Sequence, residues 1–257
     1  MNLELNDRHI LVAGGLGGIG TKTVQLLLEE GAIVTVLTQS SDKSKKSKLS
    51  HKKLNIIATD YKNKDRLHED ISSAHRYKNL TGFISLIGSG RSDKKIFLTE
   101  EESTRIWDIN YFYPRLIAEH FVEITSKDNQ EDSKSEFFIT FCSSLAASCF
   151  LGAPTEYSVA KAALERLTKE LSWKLSPCFR VNCVAPGNIY FEGGTWDRII
   201  KNGELDVDIL ISEKVPSKRL GKPIDIAAFI VFLSSTRLAS FFNGACVIID
   251  GGQKNCI

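Results

Sequence analysis

A glycine-rich turn after the first strand-like segment constrains the fold of this chain more than any other feature. The apolar segment His9–Ala13 is followed, within seven positions, by five glycines: Gly14, Gly15, Gly17, Gly18 and Gly20. A helical pattern over residues 20–30 comes next and ends at Gly31. A strand that enters a helix through glycines exposes backbone N–H groups to an anion at the positive end of the helix dipole. The sequence therefore predicts a phosphate-binding turn in a β-α unit.

The turn fits a dinucleotide-binding pattern in two registers. Gly15, Gly17 and Gly20 satisfy G-x-G-x-x-G, whereas Gly14, Gly18 and Gly20 satisfy G-x-x-x-G-x-G. Either pattern alone is weakly specific, but the position between a strand and a helix favours a bound phosphate over a turn without a ligand. The sequence leaves the choice of register open.

Short apolar runs alternate with helical patterns along the chain, as in a parallel sheet with crossover helices. The predicted strands are residues 9–13, 32–37, 54–59, 82–87, 137–142, 180–184 and 245–249. The predicted helices are residues 20–30, 64–75, 101–125 (bent near Pro114), 157–175 and 224–234. Residues 40–53 and 126–136 are polar, and no linker or repeat divides the chain. We therefore expect one doubly wound, Rossmann-type α/β domain over residues 1–257, with a single parallel sheet of about seven strands and helices on both faces.

Composition excludes several classes of partner. Lys+Arg exceed Asp+Glu by only 33 − 31 = 2, which gives no reason to expect a nucleic-acid partner. No apolar run is long enough to cross a bilayer, and the N-terminus lacks the basic and apolar regions of a secretory signal. We expect a cytoplasmic protein without a membrane partner.

Cysteine and histidine spacings give no sign of a metal. The six cysteines include no Cys-x-x-Cys pair, and several lie in apolar strand-like runs, so we interpret them as reduced core thiols. The five histidines are scattered in mostly polar surroundings and lack metal-ligand spacing. No metal site is predicted.

Tyr157 and Lys161 are the strongest candidates for proton transfer. They are four residues apart in a helical pattern, so both side chains can face one cleft, and Ser144 lies thirteen positions before the tyrosine. A free phenol has a pKa of about 10, too high for easy proton exchange at neutral pH. A nearby ammonium group stabilises the phenolate, so we expect Lys161 to lower the pKa of Tyr157 and make it a general acid or base.

The end of the second strand bears on the choice between two dinucleotides. An acidic residue there would bind the ribose 2′-hydroxyl of NAD and repel the 2′-phosphate of NADP. This chain has Thr38 and Gln39 instead, followed by Ser40, Ser41 and a lysine-rich segment. Hydroxyls near a basic cluster can hold a phosphate, so NADP is the preferred cofactor and NAD the alternative. Alternatively, these lysines only form the solvent-exposed face of a helix and do not bind a phosphate.

With these residues in place, the chain resembles the short-chain dehydrogenase/reductase family over about residues 5–253. The matching motifs are Gly14-x-x-x-Gly18-Ile19-Gly20, Asp60, Asn110, Ser143-Ser144, Tyr157-x-x-x-Lys161, Arg180-Val-Asn-Cys-Val-Ala-Pro186-Gly187 and Asp250-Gly251-Gly252. The resemblance implies that Ser144 hydrogen-bonds the substrate oxygen and that Tyr157 is the acid/base. It also implies that Lys161 binds the nicotinamide ribose and tunes Tyr157, and that Asn110 holds a water in a proton relay.

The cofactor-binding residues follow from the same resemblance and from the turn. The predicted set is Gly14, Gly18, Ile19, Gly20, Thr38, Gln39, Asp60, Tyr157, Lys161, Pro186, Gly187 and Ile189. Within it, Asp60 is expected to contact the adenine, whereas Pro186, Gly187 and Ile189 line the nicotinamide. Ser143 is interpreted as a turn residue at a strand end, because Ser144 has the family's spacing to Tyr157.

Two departures from the family pattern stand out. Ala13 replaces a usual threonine, and Ile87-Gly88-Ser89-Gly90 replaces Asn-Asn-Ala-Gly after the fourth strand. Neither change removes an acid, a base or a group that polarises a carbonyl. Both can loosen cofactor binding, and we expect Ser89 to replace part of the lost hydrogen bonding. Asn110 also has a plainer interpretation, as a buried helix amide bonded to the backbone.

The predicted activity is the interconversion of a carbonyl and an alcohol on a small-molecule substrate by an NAD(P)-dependent enzyme. The alternatives are a regulatory protein of the same fold that binds the nucleotide without turnover, and an epimerase or dehydratase. A substrate lid is expected at about residues 188–217, where Phe191 and Trp196 either contact substrate or anchor the lid. Its mixed charges select no substrate class. Small residues in the helix that carries Tyr157 permit close packing against another helix, and the resemblance implies that this helix pairs across a subunit interface. We therefore expect a homotetramer or a homodimer.

Overall fold

Seven parallel strands form one sheet, in the order β3-β2-β1-β4-β5-β6-β7. The computed structural model describes residues 2–39, 49–91, 96–128, 137–203 and 206–254. The strands are β1 His9–Ala13, β2 Ile33–Gln39, β3 Leu54–Thr59, β4 Leu80–Ser85, β5 Phe137–Cys142, β6 Phe179–Pro186 and β7 Cys246–Ile249. The order reverses between β1 and β4, which is the topological switch point where doubly wound proteins bind ligands. The predicted fold class is confirmed.

Eight α-helices lie in the described residues. They are α1 Gly18–Glu29, α2 Lys64–Tyr77, α3 Glu100–Trp107, α4 Tyr113–Thr125, α5 Thr155–Lys174, α6 Thr195–Lys201, α7 Val207–Lys214 and α8 Pro223–Leu233. Two of these helices, α6 and α7, lie inside the predicted lid at about residues 188–217. In this part of the chain, no helix has the length and apolar character needed to span a bilayer.

Helices cover both faces of the sheet because successive strand residues point in opposite directions. Leu11 of β1 belongs to an apolar cluster with residues of α2, α4 and α5, whereas Ile10 and Val12 belong to a second cluster with residues of α1 and α8. All five β1 residues are buried. This two-sided burial explains why the central strands are continuous apolar runs.

The segment predicted as one helix over residues 101–125 is broken. It consists of α3, a π-helical turn over Asp108–Phe112, and α4, which begins at Tyr113 with Pro114 in its first turn. The predicted bend at Pro114 is therefore slightly displaced, because proline fits the start of a helix better than its interior. The π-helical turn carries Asn110, and such turns are frequent at functional sites.

Where other boundaries differ, they differ by one or two residues. The fourth strand was expected at residues 82–87 but ends at Ser85. Leu86 N–H still donates to the Ala13 carbonyl (2.8 Å), after which the chain leaves the sheet. The expectations for residues 40–48, including the hydroxyls and lysines after Gln39, and for 129–136 lie outside the described residues.

The cysteine prediction is only partly correct. The five described cysteines are free thiols, but of these only Cys183 is buried, and Cys246 is exposed. Cys246 is on β7, the edge strand of the sheet, so one face of that strand remains open.

Candidate active site

Four chain segments meet at the carboxyl edge of the sheet. The glycine turn follows β1, the loop 86–91 follows β4, Ser143 and Ser144 follow β5, and Gly187 follows β6. Because all seven strands are parallel, their carboxyl ends share one edge, and the predicted site residues gather there.

The structure distinguishes the two registers of the glycine turn. Gly14 has φ +79°, and a Cβ on it would lie 2.8 Å from the Leu86 backbone. A Cβ on Gly20 would lie 2.2 Å from the Gly14 carbonyl oxygen, and one on Gly18 would lie 2.3 Å from the Phe191 ring. A Cβ on Gly15 would lie 2.9 Å from the Val36 side chain, whereas one on Gly17 would meet only an ordinary contact at 3.5 Å. Packing therefore requires glycine at all three positions of G-x-x-x-G-x-G, but not at Gly17, the second position of G-x-G-x-x-G.

Phe191 connects the start of the predicted lid to this turn. Its ring contacts Gly18 and Gly194, and, like Leu16 and Ile19, it packs against the second apolar cluster of the core. Of the two interpretations of Phe191, the anchor is the one that its contacts support. A second tie comes from Arg91, whose guanidinium donates to the Gly193 carbonyl (3.1 Å).

Lys161 is buried beneath the cleft, with only 2% of its surface exposed. Its Nζ donates to the carbonyl oxygens of Cys142 (2.8 Å) and Ile87 (3.4 Å), at the ends of β5 and β4. Burial lowers the pKa of Lys161, because removing the ammonium group from water disfavours its charged form. The backbone carbonyls compensate part of that cost.

Tyr157 lies one helical turn before Lys161 on α5 and is half-buried. Burial raises the pKa of Tyr157 to about 12, while a hydrogen bond with Ser144 acts in the opposite direction. The expectation that Lys161 lowers this pKa is wrong for the protein's own groups. Desolvation of the phenolate is the largest cause of the rise, and the Lys161 ammonium group is directed at two carbonyl oxygens instead.

Asn110 holds the loop after β4 in place. Its side-chain Oδ1 accepts from Ser89 N–H (3.0 Å), and its Nδ2 donates to the carbonyls of Ser89 (3.0 Å) and Ile106 (2.9 Å). The side chain is fully buried. The plainer interpretation, a buried amide bonded to the backbone, describes these contacts. The Ser89 hydroxyl accepts from Arg91 N–H instead, so it is the Ser89 backbone that bonds Asn110.

We expect Asn110→Ala to lower both stability and activity. The change removes the hydrogen bonds of the Asn110 side chain with the Ser89 N–H and with the carbonyls of Ser89 and Ile106, which should lower the free energy of unfolding by about 2–3 kcal/mol. Displacement of the loop should lower kcat by about 10- to 100-fold. Denaturant unfolding and steady-state kinetics measure the two effects. The control is Asn63→Ala, which removes the cap of α2 and should affect stability alone; an equal loss of activity in both variants would contradict this role of Asn110.

The two serines after β5 face different ways. Ser143 is buried, and its single hydroxyl proton can go to either of two acceptors, the Lys161 carbonyl (3.2 Å) or Glu165 (2.8 Å). Ser144 is half-buried, and its hydroxyl accepts from Ala146 N–H (3.2 Å) and interacts with Tyr157. The geometry thus agrees with the choice of Ser144 over Ser143.

The remaining predicted cofactor residues line the same edge. Thr38 and Gln39 end β2 and are half-buried, while Asp60 follows β3 and is exposed. Gly187 follows Pro186, the last residue of β6, and its N–H donates to the Ile249 carbonyl (2.9 Å). Ile189 comes two residues later, where it bridges to Gly221.

Two glycines of the loop after β4 were not identified as site residues from the sequence. A Cβ on Gly88 would lie 2.9 Å from Lys161 Nζ and 3.2 Å from Asn110 Oδ1, and one on Gly90 would lie 3.8 Å from the Tyr157 ring. The sequence indication for Gly88 was the departure from the family pattern at residues 87–89, whereas Gly90 keeps the glycine of that pattern. The space that this loop leaves open borders three of the four candidate catalytic residues.

Comparisons with known proteins agree with this arrangement. The model of the family described as enoyl-(acyl carrier protein) reductase matches residues 14–254. Isoepoxydon dehydrogenase patN of Penicillium expansum is 30% identical over 260 residues, which cover 96% of this chain and 95% of that protein. The 3-oxoacyl-[acyl-carrier-protein] reductase FabG of Chlamydia muridarum is 27% identical and covers 98% of this chain and 100% of its own. The ligand-free aldohexose dehydrogenase AldT of Thermoplasma acidophilum superimposes with a TM-score of 0.83 at 25% identity, over 98% of this chain and 96% of that one. The chain therefore belongs to the short-chain dehydrogenase/reductase family of NAD(P)-dependent oxidoreductases.

Proposed function

We propose that this protein interconverts a carbonyl and an alcohol on a small molecule, with Tyr157 as the general acid and base. The observation that carries the proposal is the meeting of Tyr157, Ser144 and the buried Lys161 beside the glycine turn, at the switch point of the sheet. A bound nicotinamide supplies a hydride to the carbonyl carbon, or accepts one in the reverse direction.

In the nucleotide-free protein Tyr157 is protonated at neutral pH, because burial raises its pKa to about 12. Proton exchange between the phenol and the substrate oxygen therefore requires the Lys161 ammonium group and the positive charge of an oxidised nicotinamide to lower this pKa. Ser144 is placed to hydrogen-bond the same oxygen. Lys161 uses two of its three N–H donors on carbonyls and offers the third to the cleft, where a ribose hydroxyl can accept it. Asn110 acts as a positioning residue that fixes the loop between these groups.

The carboxyl edge fits a dinucleotide. Gly14, Gly18, Ile19 and Gly20 form a turn that leads into the first turn of α1, where backbone N–H groups can bind the pyrophosphate. Its three glycines permit close packing of the turn against the Leu86 backbone, the Phe191 ring and the Gly14 carbonyl. The other residues proposed to hold the nucleotide are Thr38, Gln39, Asp60, Tyr157, Lys161, Pro186, Gly187 and Ile189. NADP is preferred over NAD because neither Thr38 nor Gln39 would repel a 2′-phosphate.

Self-association and location form part of the proposal. An apolar hollow between α4 and α5 is lined by Ala118, Val122, Leu167, Leu171 and Leu175, which supports a homodimer or homotetramer. Ala160 is fully buried within its own chain, so the small-residue argument extends only to Ala162 and Ala163. The free thiols of the described cysteines favour a reducing compartment such as the cytoplasm.

Nucleotide binding and turnover together test the proposal. Calorimetry with NADPH and NADH should show binding, with NADPH the tighter ligand. Mixtures with a panel of ketones, aldoses, 3-oxoacyl thioesters and enoyl thioesters, classes suggested by the relatives' names, should show loss of reduced-nucleotide absorbance for at least one carbonyl. Binding without turnover on any substrate would favour the regulatory alternative, and the absence of binding would refute both.

A further inference from the structure

Two histidines and a glutamate from two helices converge outside the cleft. His68 lies on α2, while His120 and Glu123 lie one helical turn apart on α4. Their nearest ligand atoms, the two histidine Nδ1 atoms and a glutamate oxygen, all lie within 4.8 Å of one another. We propose that these three residues bind a divalent transition-metal cation, for which zinc is the best match.

The separations of the ligand atoms suit one cation. His68 Nδ1 is 3.2 Å from His120 Nδ1, and His120 Nδ1 is 3.3 Å from Glu123 Oε2. Atoms about 2.1 Å from a common tetrahedral zinc lie about 3.4 Å apart. The third separation, from His68 Nδ1 to Glu123 Oε2, is 4.0 Å. A small rotation of the Glu123 side chain, which is 53% exposed, closes that gap.

The chemistry of the facing nitrogens favours a cation between them. Without one, only a single proton can be shared across the 3.2 Å contact, and protonation of both rings would place two positive charges side by side. A cation accepts a lone pair from each neutral ring. Two imidazoles and one carboxylate suit zinc better than magnesium or calcium, which prefer oxygen ligands. Three protein ligands leave a position for water.

The helices hold these groups in place before any cation binds. Leu67 and Ile71 of α2 and Ile117 and Phe121 of α4 are buried in the same apolar cluster. The His120 side chain is only 12% exposed, and its ring meets that of His68 edge-on at 5.1 Å. His68 and Glu123 are more exposed, which gives the cation a route from solvent.

One feature limits the expected affinity. The Nε2 atom of His120 is buried and has no hydrogen-bond partner among the described residues. Metal-bound imidazoles usually donate their second N–H to an acceptor, and loss of that acceptor weakens metal binding about 10- to 100-fold. We therefore expect a dissociation constant of about 1 µM rather than the much tighter binding of structural zinc sites.

The proposed site differs from the sequence expectation that the histidines bind no metal. His68 and His120 are 52 positions apart, and no sequence spacing brings them together. The packing of α2 against α4 does so. None of the three belongs to the proposed catalytic or nucleotide-binding residues, so the inference does not depend on the proposed reaction. Glu123 does also line the hollow between α4 and α5 that is proposed for self-association.

Zinc and cobalt titrations of the full chain test the site. After treatment with a chelator, the protein is titrated with Zn²⁺ by calorimetry at about pH 7.5. We expect one Zn²⁺ per chain and a rise in Tm of about 5 °C at saturation. Bound Co²⁺ should show visible bands of a low-symmetry site without the near-ultraviolet band of a cobalt thiolate. That band would reveal binding at the exposed Cys246 instead.

Variants separate this site from adventitious binding. His68→Gln, at a half-buried position, and Glu123→Gln, at an exposed one, should each weaken Zn²⁺ binding at least about 10-fold while keeping the metal-free Tm. The control is His51→Gln, at an exposed histidine elsewhere, which should bind as the wild type does. Binding weaker than about 100 µM, unchanged binding in both cluster variants, or a cobalt thiolate band would each overturn the proposal.

Discussion

Tyr157→Phe is expected to lower kcat for any carbonyl that the wild-type protein reduces by about 100- to 10,000-fold. The variant keeps the ring and loses only the hydroxyl that interacts with Ser144 and would donate the proton. Nucleotide affinity should stay within a few-fold, because Lys161 keeps its bonds to Cys142 and Ile87. Steady-state kinetics and calorimetry on the same preparation measure both quantities.

The control is Tyr77→Phe. Tyr77 is 70% exposed at the end of α2, so loss of its hydroxyl should leave kcat unchanged. If Tyr157→Phe turned over substrate as fast as Tyr77→Phe, the assignment of Tyr157 as the proton donor would fail.

The same pair of proteins tests the ionisation of Tyr157. Its pKa of about 12 means that the nucleotide-free protein carries no appreciable phenolate near neutrality. The ultraviolet difference spectrum between wild type and Tyr157→Phe should therefore show no tyrosinate signal from about pH 7 to 9. A signal in that range would restore the original expectation that Lys161 makes the phenol acidic.

That expectation failed for a physical reason that sequence does not reveal. The four-residue spacing correctly places Tyr157 and Lys161 on one helix, but it carries no information about desolvation or about the partners of the ammonium group. In the fold, Lys161 is 2% exposed and bonded to two strand-end carbonyls. Burial consequently raises the pKa of the phenol and lowers that of the amine.

Local patterns predicted most of the scaffold. The strands His9–Ala13, Leu54–Thr59 and Phe137–Cys142 have the expected bounds, because apolar runs and polar flanks define them without help from tertiary contacts. The π-helical turn was not predicted, since Asn110 is held there by a loop that is 21 positions away. Contacts of this kind depend on the completed sheet.

Long-range contacts also account for what the sequence missed around the site. Phe191 follows β6 and Gly18 follows β1. The two residues come into contact only because both strands end at the carboxyl edge of the sheet. Gly88 is important because of two side chains that lie beside it. A Cβ placed on Gly88 would lie 2.9 Å from Lys161 Nζ and 3.2 Å from Asn110 Oδ1. The motif identified the chemistry, whereas the packing between distant segments determined its surroundings.

Gly20→Ala is expected to weaken dinucleotide binding by about 10- to 100-fold and to lower the free energy of unfolding by about 2–3 kcal/mol. The new Cβ would lie 2.2 Å from the Gly14 carbonyl oxygen, and backbone atoms cannot rotate away as a flexible side chain can. The first turn of α1 must therefore shift, and its N–H groups move with it.

Gly17→Ala is the matched control, because it makes the same chemical change three positions earlier in the turn. Gly17 has φ −78°, and a Cβ there would make only an ordinary contact with the Gly14 oxygen at 3.5 Å. Calorimetry with NADPH and thermal unfolding should place Gly17→Ala near the wild type and Gly20→Ala well below it. Since Gly17 belongs only to the G-x-G-x-x-G register, an equal loss of affinity in Gly17→Ala would show that a bound phosphate, rather than internal packing, requires glycine there. The register assigned from packing would then have to be abandoned.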